Sequence, residues 1–211
     1  MQPDALLPPL ALVAGARGKT AVVQALARIA DAAGLLAGVI TRTGAEVLEV
    51  PTVHALLEDP RIRIAFVECP SALLIGHGAP VAQANVAVVT NLMGGAEADA
   101  VFAITRTIAT GGRVVLNADD PQVAARGREL PKPLVWFATS GQHPTVARHV
   151  EAGGDACFVH EGQLVLVRQR RGVALRPAAG LHAHDLANAL AAAAAALALG
   201  IHPRAIARGL T

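Results

Sequence analysis

The first part of the chain alternates short apolar runs with stretches in which apolar residues recur every three or four positions. Each run is bounded by glycine, proline or charged residues and has the length of a buried parallel strand. The intervening stretches have the spacing of one helix face. This alternation predicts an α/β fold, a mostly parallel sheet with helices on both faces. The predicted strands are residues 10–14, 36–40, 64–67, 86–90 and 114–116, and the predicted helices are residues 20–33, 53–57, 96–109 and 121–130.

The rhythm changes after Leu134, where apolar runs become shorter and turn residues such as the Gly153-Gly154 pair separate them. Such spacing is typical of hairpins, and we expect a small antiparallel patch attached to the main sheet. We predict a single domain, with the main sheet in residues 8–133 and 180–211 and the patch in residues 134–178. The patch strands are predicted at residues 135–137, 147–150, 157–160, 164–167 and 173–175, and two late helices at residues 184–199 and 203–210.

The amino-acid composition argues against several classes of binding partner. Of the 211 residues only 2% are aromatic and none is tyrosine, which argues against binding single-stranded nucleic acid by base stacking. The net charge is +2, and the one basic cluster, Arg168, Arg170 and Arg171, is more simply a solvated hairpin edge. The two cysteines, Cys69 and Cys157, are far apart and predict neither a disulfide framework nor a zinc site. We expect no nucleic-acid partner.

The sequence also argues against a membrane protein. No N-terminal segment has the charged start and apolar core of a signal peptide. The alanine-rich run of residues 187–200 is too short, and too polar at its start, to span a bilayer. We therefore expect a cytoplasmic location and no membrane contact.

Residues 10–20, LALVAGARGKT, carry the strongest functional signal. An apolar strand is followed by a glycine-framed turn, and a lysine and a threonine then open a helix. Such a turn directs backbone N–H groups, a helix N-terminus and an ammonium at one point, and together they can bind a polyphosphate. The threonine hydroxyl can then contact the magnesium ion that accompanies the phosphates. Val13 stands where the usual motif has its first glycine, so an ordinary strand–turn–helix junction is the alternative. The predicted contacts are Gly15, Ala16, Arg17, Gly18, Lys19 and Thr20.

Polar residues end two further predicted strands. Glu68 follows an apolar run, and at the carboxyl end of a parallel strand it is placed to hold magnesium, directly or through water. A strand-end acid that faces solvent is the alternative. Thr90 and Asn91 end the next run and could line the same crevice, although asparagine is common after strands.

Two segments near predicted helix starts are weaker candidates. Asn117 and Asp120 lie in NADDP, where Asp120 either caps the helix that begins at Pro121 or faces a nucleotide. His184, Asp185 and Asn188 fall within one helical turn and can face one ligand. Asp185 could equally be a favourable N-terminal charge, and His184 a surface residue.

The order of these motifs resembles the central domain of the Mur ligase family. The landmarks are GARGKT, a strand that ends in Glu68, VAVVTNL, VVLNADDP and HDLANALAAAAAALALGI. The segments from ALLEDP to VVTNL and HVEAGGDACFVHEGQLVL are most similar to the C-terminal, Mur-ligase-like part of the cyanophycin synthetases. The arginine in GARGK is also similar to that of the poly-γ-glutamate synthetases. The resemblance covers most of the chain.

The resemblance implies an ATP-dependent carboxylate–amine ligase. In this family ATP phosphorylates a substrate carboxylate, and an amino group attacks the acyl phosphate to give an amide or isopeptide bond. It further implies ATP and Mg²⁺ as cofactors, an acidic or peptide carboxylate as substrate, and other domains or chains as partners. By position, Gly15, Gly18 and Lys19 would cradle phosphates, Thr20 and Glu68 would hold magnesium, Asp185 and Asn188 would lie near adenine, and Asn117 and Asp120 would belong to the wall of the nucleotide site. Lys19 and Glu68 are the catalytic candidates.

Departures from the family pattern keep alternatives open. Leu92-Met93-Gly94-Gly95 stands where the family has Asp-His-Leu, and residues 96–112 lack the lysine that helps to hold a second magnesium. Asp185 replaces the usual asparagine, and Ala21 a second threonine. The substrate-binding and C-terminal domains of the family have no counterpart in these residues. One hypothesis is therefore a nucleotide-binding ligase domain that is incomplete for catalysis alone. A second is a non-catalytic scaffold with weak or no nucleotide binding. NADDP and HDLAN argue against a third, a small P-loop kinase.

Overall fold

The computed structural model describes residues 7–41 and 50–210. Within them, strands and helices alternate as far as residue 160, and one turn of 3₁₀ helix lies at Ile104–Thr107. The strands are β1 (Leu10–Ala14), β2 (Ala37–Ile40), β3 (Ile64–Cys69), β4 (Ala84–Val89), β5 (Ile108–Asn117), β6 (Leu134–Ala138), β7 (Asp155–His160), β8 (Gln163–Arg168) and β9 (Arg171–Pro177). The helices are α1 (Lys19–Ala32), α2 (Val50–Glu58), α3 (Ser71–His77), α4 (Gly95–Ala103), α5 (Pro121–Gly127), α6 (Pro144–Glu151), α7 (Ala183–Ala198) and α8 (Pro203–Gly209).

All the described strands belong to one sheet, in the order β2-β3-β1-β4-β5-β6-β7-β8-β9. The strands from β2 to β7 pair in parallel, and β8 and β9 add an antiparallel edge. The chain leaves β1 toward one side of the sheet to form β2 and β3, and then returns to the other side of β1 as β4. In open α/β sheets, a ligand crevice lies at the carboxyl ends of the strands where the direction reverses in this way. The end of β1 beside β4 is that point here.

Helices cover both faces of the sheet. One core contains α1, α7 and α8 against β1, β3 and the later strands. The other contains apolar residues of α2 to α6. In α7 every residue from Ala189 to Leu197 is buried, because the helix packs against α1, α8 and the sheet. Alanine side chains permit this close approach. No helix in the described part of the chain has the length and apolarity to cross a bilayer.

The predicted fold class is confirmed, while one predicted strand is wrong. Residues 147–150 belong to α6, not to a strand of the patch. Pro144 occupies the first helical turn, and Thr145 donates its N–H to His143 Nδ1 at 3.3 Å, so the segment starts as a capped helix. Val146 is buried beneath it. The remaining patch is smaller than expected, because β6 and β7 continue the parallel sheet.

The predicted helix at residues 96–109 is too long. α4 ends at Ala103, and β5 already begins at Ile108. Between them the hydroxyls of Thr105 and Thr107 donate to the carbonyls three residues earlier, at 2.8 and 2.7 Å. These local bonds compete with helix propagation. The sequence analysis also missed α3, which is a short helix of seven residues.

The alanines of α7 should tolerate enlargement only at its exposed end. Ala193→Leu places three extra carbons in a fully buried position, and we expect it to lower the free energy of unfolding by about 1–3 kcal/mol. Ala183→Leu, at the exposed first residue of the same helix, is the matched control and should change it by less than about 0.5 kcal/mol. Urea denaturation followed by circular dichroism measures both. Equal effects of the two substitutions would contradict the close packing of α7.

Candidate functional site

The turn between β1 and α1, residues 15–20, is called the phosphate loop below. Gly15 has φ 148° and Gly18 has φ 84°, and L side chains rarely adopt such values. Space is restricted as well. A Cβ atom at Gly15 would lie 2.0 Å from Thr90 Oγ1, and one at Gly18 would lie 2.3 Å from Asn188 Oδ1. The loop therefore needs glycine at both positions, and it lies against the end of β4 on one side and α7 on the other.

Asn91 fastens the phosphate loop to the end of β4. Its Oδ1 accepts from the Arg17 N–H at 2.9 Å, and its Nδ2 donates to the Arg17 carbonyl at 3.1 Å. The Ala16 N–H donates to the Asn91 carbonyl at 3.2 Å, and Thr90 Oγ1 donates to the Arg17 carbonyl at 2.8 Å. The predicted site residue Asn91 thus fixes the loop backbone, and a direct contact with nucleotide stays a prediction. Thr90, which the sequence places with Asn91 at the end of this strand, shares the role of fixing the loop.

The lysine and the hydroxyl residue at the start of α1 have separate partners. Lys19 Nζ donates to the Gly15 carbonyl at 2.8 Å, so its ammonium lies on the inside of the loop's curve. Thr20 Oγ1 donates to Glu68 Oε2 at 2.7 Å. Glu68 is only 4% exposed, which excludes the alternative of an acid facing solvent. The fold therefore joins the start of α1 to the carboxyl end of β3, as the sequence predicted.

A hydroxyl oxygen and a carboxylate oxygen at hydrogen-bond distance are a donor set suited to Mg²⁺, which prefers oxygen ligands. Thr20 and Glu68 therefore fit the predicted ion. Among the described residues, no three His, Cys, Asp or Glu side chains are grouped closely enough to form a metal site of their own. Magnesium commonly keeps several waters and shares substrate phosphates with one or two protein ligands, and this pair matches that pattern.

Two side chains of the NADDP segment form hydrogen bonds with backbone groups around the site. Asn117 Nδ2 donates to the Thr90 carbonyl at 2.8 Å. Asp120 Oδ1 accepts from the first N–H groups of α5, both at 2.9 Å, and its Oδ2 accepts from the Leu92 N–H at 3.0 Å. Of the two interpretations of Asp120, the helix cap is therefore present. Both residues lie at the same edge of the sheet as the phosphate loop, and their contact with a nucleotide stays a prediction.

The first turns of α7 bring a second group of side chains to the phosphate loop. Asn188 lies against Gly18, and Asp185 and Asn188 line a cavity of about 280 Å³ between α1, α7 and the end of β9. His184 is exposed and is not part of the lining. Arg28 and Arg176 also line the cavity and were missed. Helical spacing from Ala21 to Arg28 could have indicated the first, whereas only the tertiary fold brings Arg176 there.

Charge and burial around Glu68 act on the neighbouring thiol. Cys69 is buried, and its pKa is raised to about 12. Desolvation is the main cause, the carboxylate of Glu68 acts in the same direction, and the ammonium of Lys19 opposes it. Burial also raises the pKa of Cys157. Both thiols are therefore protonated, inert groups in the folded chain.

A search of protein families matches residues 13–196 to the Mur ligase middle domain. The chain belongs to the Mur ligase middle-domain family. This family consists of ATP-dependent ligases, so the resemblance described from the motifs is confirmed. The matched region contains all the candidate site residues from Gly15 to Asn188.

Individual relatives agree with this assignment. The chain is 26% identical over 230 residues to a cyanophycin synthetase of Nostoc sp. strain PCC 7120, covering 96% of this chain and 26% of the relative. It is 31% identical over 217 residues to a UDP-N-acetylmuramoylalanine–D-glutamate ligase of Streptomyces avermitilis, covering 96% and 44%. A UDP-N-acetylmuramoylalanyl-D-glutamyl-2,6-diaminopimelate–D-alanyl-D-alanyl ligase of Acinetobacter baumannii has the same fold, with a TM-score of 0.73, 24% identity and coverage of 98% and 46%. The chain thus spans less than half the length of each.

The raised thiol pKa values predict a loss of stability at alkaline pH. An unfolded cysteine ionises near pH 8.5, so above that pH the unfolded chain loses thiol protons that the folded chain keeps. The free energy of unfolding should then fall by up to about 1.4 kcal/mol per pH unit for each thiol between about pH 9 and 11. Urea denaturation at several pH values measures this slope, and the double variant Cys69→Ala, Cys157→Ala should flatten it. An unchanged slope in the double variant would contradict the assignment.

Proposed function

We propose that the chain binds a magnesium-bound nucleoside triphosphate, with ATP as the reference ligand of its family, for carboxylate–amine ligation. The observation that carries this proposal is the Thr20–Glu68 hydrogen bond of 2.7 Å at the start of the helix that follows the phosphate loop. It places a hydroxyl and a carboxylate oxygen next to the Lys19 ammonium and next to the start of α1, which has no side-chain cap among the described residues. That combination of charges suits a triphosphate and its metal.

The proposed chemistry follows from this distribution of charge. The Lys19 ammonium and the N–H groups at the start of α1 bind the phosphate oxygens and stabilise negative charge as the terminal phosphoryl group moves. Thr20 and Glu68 would hold the magnesium, which when bound supplies further neutralisation of the phosphates. A substrate carboxylate receives the phosphoryl group, and an amine then attacks the acyl phosphate, releasing phosphate and forming an amide.

We propose that this ligation needs further protein parts. The chain spans about a quarter of a cyanophycin synthetase and 44% of the D-glutamate ligase. The acid and amine substrates, which we take to be acidic amino acids or peptides, would bind to other domains or chains and reach the carboxyl edge of the sheet. The phosphate loop opens at that edge.

A non-catalytic scaffold is the second candidate, and the segment after β4 favours it. Leu92-Met93-Gly94-Gly95 offers no imidazole or carboxylate, and Met93 is 65% exposed. The described residues also lack a cluster of three metal-binding side chains. A scaffold, however, has no need for the lysine and the buried glutamate beside a glycine-framed loop, so we rank it second.

Titration calorimetry with Mg·ATP tests the triphosphate site. The parent chain should bind, and Lys19→Ala should remove a charge-assisted contact worth about 1.5–3 kcal/mol, raising Kd roughly 10- to 150-fold. The matched control is Lys132→Ala, which removes the other lysine of the sequence, whose Nζ donates to the Ile108 carbonyl at 3.1 Å. It should leave Kd unchanged. If the parent chain gives no heat of binding at millimolar Mg·ATP, the proposed triphosphate site is refuted and the non-catalytic scaffold is favoured.

A second prediction tests whether the fastening of the loop matters for binding. Asn91→Ala frees the loop backbone, and ordering even one residue costs about 1–2 kcal/mol, so Kd for Mg·ATP should rise roughly fivefold or more. Asn85→Ala is the matched control, because Asn85 Oδ1 accepts from the Leu10 N–H at 2.8 Å near the opposite end of β1. Both variants should lose about 1–3 kcal/mol of stability, and only Asn91→Ala should weaken binding. Equal binding by the two would refute the role of Asn91.

A further inference from the structure

A cavity of about 530 Å³ lies at the edge of the sheet opposite to the phosphate loop. Pro9, which precedes β1, and Ile64, which begins β3, both line it, so it lies at the amino ends of these parallel strands. We call it the amino-edge cavity. Its volume falls in the range of small-molecule sites, about 300–1,000 Å³. None of the residues assigned to the triphosphate site lines it, so a ligand bound here would be separate from the proposed nucleotide.

The charged side chains of the amino-edge cavity are basic. The described residues that line it include three arginines and a histidine, and none of them is acidic. Apolar side chains such as Leu35, Ile64 and Ile201 supply much of the remaining lining. Such a lining suits a ligand that combines an apolar body with negatively charged groups.

The three arginines reach the cavity from two separate walls. Arg63 comes from the sheet, where its N–H donates to the Leu36 carbonyl at 2.9 Å and fixes its backbone at the amino end of β3. Arg204 and Arg208 come from α8. They are four residues apart, so they lie on one face of the helix, about 6 Å apart along its axis. Positive charge therefore lines the cavity from both the sheet and α8.

Two of these guanidinium groups are available to a ligand. Arg208 is part of the wall, because its guanidinium donates to the carbonyl of Ala32 at the end of α1. His202 is also occupied, because its Nδ1 accepts from the Arg204 N–H at 3.2 Å. By contrast, no hydrogen bond or ion pair within the described part of the chain uses the side chains of Arg63 or Arg204, and both are exposed.

The chemistry of guanidinium groups identifies the class of ligand. A guanidinium binds one carboxylate through two parallel N–H donors. A molecule with two or more carboxylates can therefore engage Arg63 and Arg204 together, while its apolar part contacts the apolar lining. We infer that the amino-edge cavity binds a small organic polycarboxylate.

A purely structural role for these arginines gives a different expectation. Ala33 and Leu199, the C-terminal caps of α1 and α7, also line the cavity. Cations near helix C-termini interact favourably with the helix dipole. In that role Arg63→Ala would lower stability, but the parent chain would not bind a polycarboxylate at this place. Binding and its location are therefore the informative quantities.

Calorimetric titration of the 211-residue chain with benzene-1,3,5-tricarboxylate tests the inference, because this probe carries three carboxylates on an apolar ring. The parent chain should bind it, and Arg63→Ala and Arg204→Ala should each raise Kd roughly tenfold. The matched control is Arg61→Ala, which removes the same charge two residues from Arg63. Arg61 pairs with Asp59 at 2.7 Å and does not line the cavity, so its removal should leave Kd unchanged.

Two further probes on the same ring separate the sources of affinity. Benzoate has a single carboxylate, and phenyl phosphate concentrates its charge in one group. Both should bind at least about tenfold more weakly than the tricarboxylate, because neither can pair with two arginines in the bidentate manner. Equal binding of benzoate would overturn the need for several carboxylates, and tighter binding of phenyl phosphate would overturn the choice of carboxylate over phosphate.

Nitrogen–proton correlation spectra of the labelled chain locate the bound tricarboxylate. The amide signals of Leu35, Gly200 and Ile201 should shift on titration, because these residues line the cavity. Those of Gly15 and Gly18, at the other edge of the sheet, should stay in place. The opposite pattern would put the probe in the phosphate loop and overturn the inference.

The remaining outcomes separate this inference from the proposed function. Lys19→Ala should keep the parent Kd for the tricarboxylate, and a loss of binding in this variant would overturn the assignment to the amino-edge cavity. An equal loss in Arg61→Ala and Arg63→Ala would overturn it too, because net charge alone would then explain the binding. So would the absence of binding by the parent chain at millimolar tricarboxylate. None of these results changes the test with Mg·ATP.

Discussion

The site depends on a closure of the backbone between three elements that are distant in sequence. The phosphate loop passes between the end of β4 and the first turns of α7 with no room for a side chain at Gly15 or Gly18. Asn91 then fixes the loop through both atoms of its amide group. These contacts fix the direction of the loop N–H groups. Phosphate binding by the loop would therefore depend on them. Every other feature of the site is arranged around a loop held in this way.

This constraint explains which predictions from sequence succeeded. Parallel strands present their carboxyl ends at one edge, so residues that follow separate apolar runs are brought together whatever the details of the helices. Glu68 and Asn91 were expected at this edge on that basis, and both lie beside the loop, while their binding of metal or nucleotide stays a prediction. The strand-helix alternation predicted the layers for the same reason, because fully buried runs leave little choice of element.

The failures come from places where local and tertiary signals compete. Residues 147–150 contain two apolar positions in a short window, which does not separate a strand from a helix turn. The decisive signals, His143 as a cap and Pro144 in the first turn, lie outside that window. Arg28 and Arg176 could not be assigned to a common site, because the packing of β9 and of the residue after α8 forms the cavity wall. The spacing of residues in the sequence does not predict this contact between β9 and the residue after α8.

The alanine-rich helix links the core to the site. Because its buried residues have the smallest side chains, α7 lies close to α1 and to the sheet, and Asn188 reaches the backbone of Gly18. A larger side chain in the middle of α7 would move its first turns away from the loop and widen the cavity in which Asp185 lies. The composition of α7, which looks like low complexity in the sequence, therefore sets the distance between the phosphate loop and the first turns of α7. The close packing of the core and the position of Asn188 beside Gly18 are two consequences of the same helix contact.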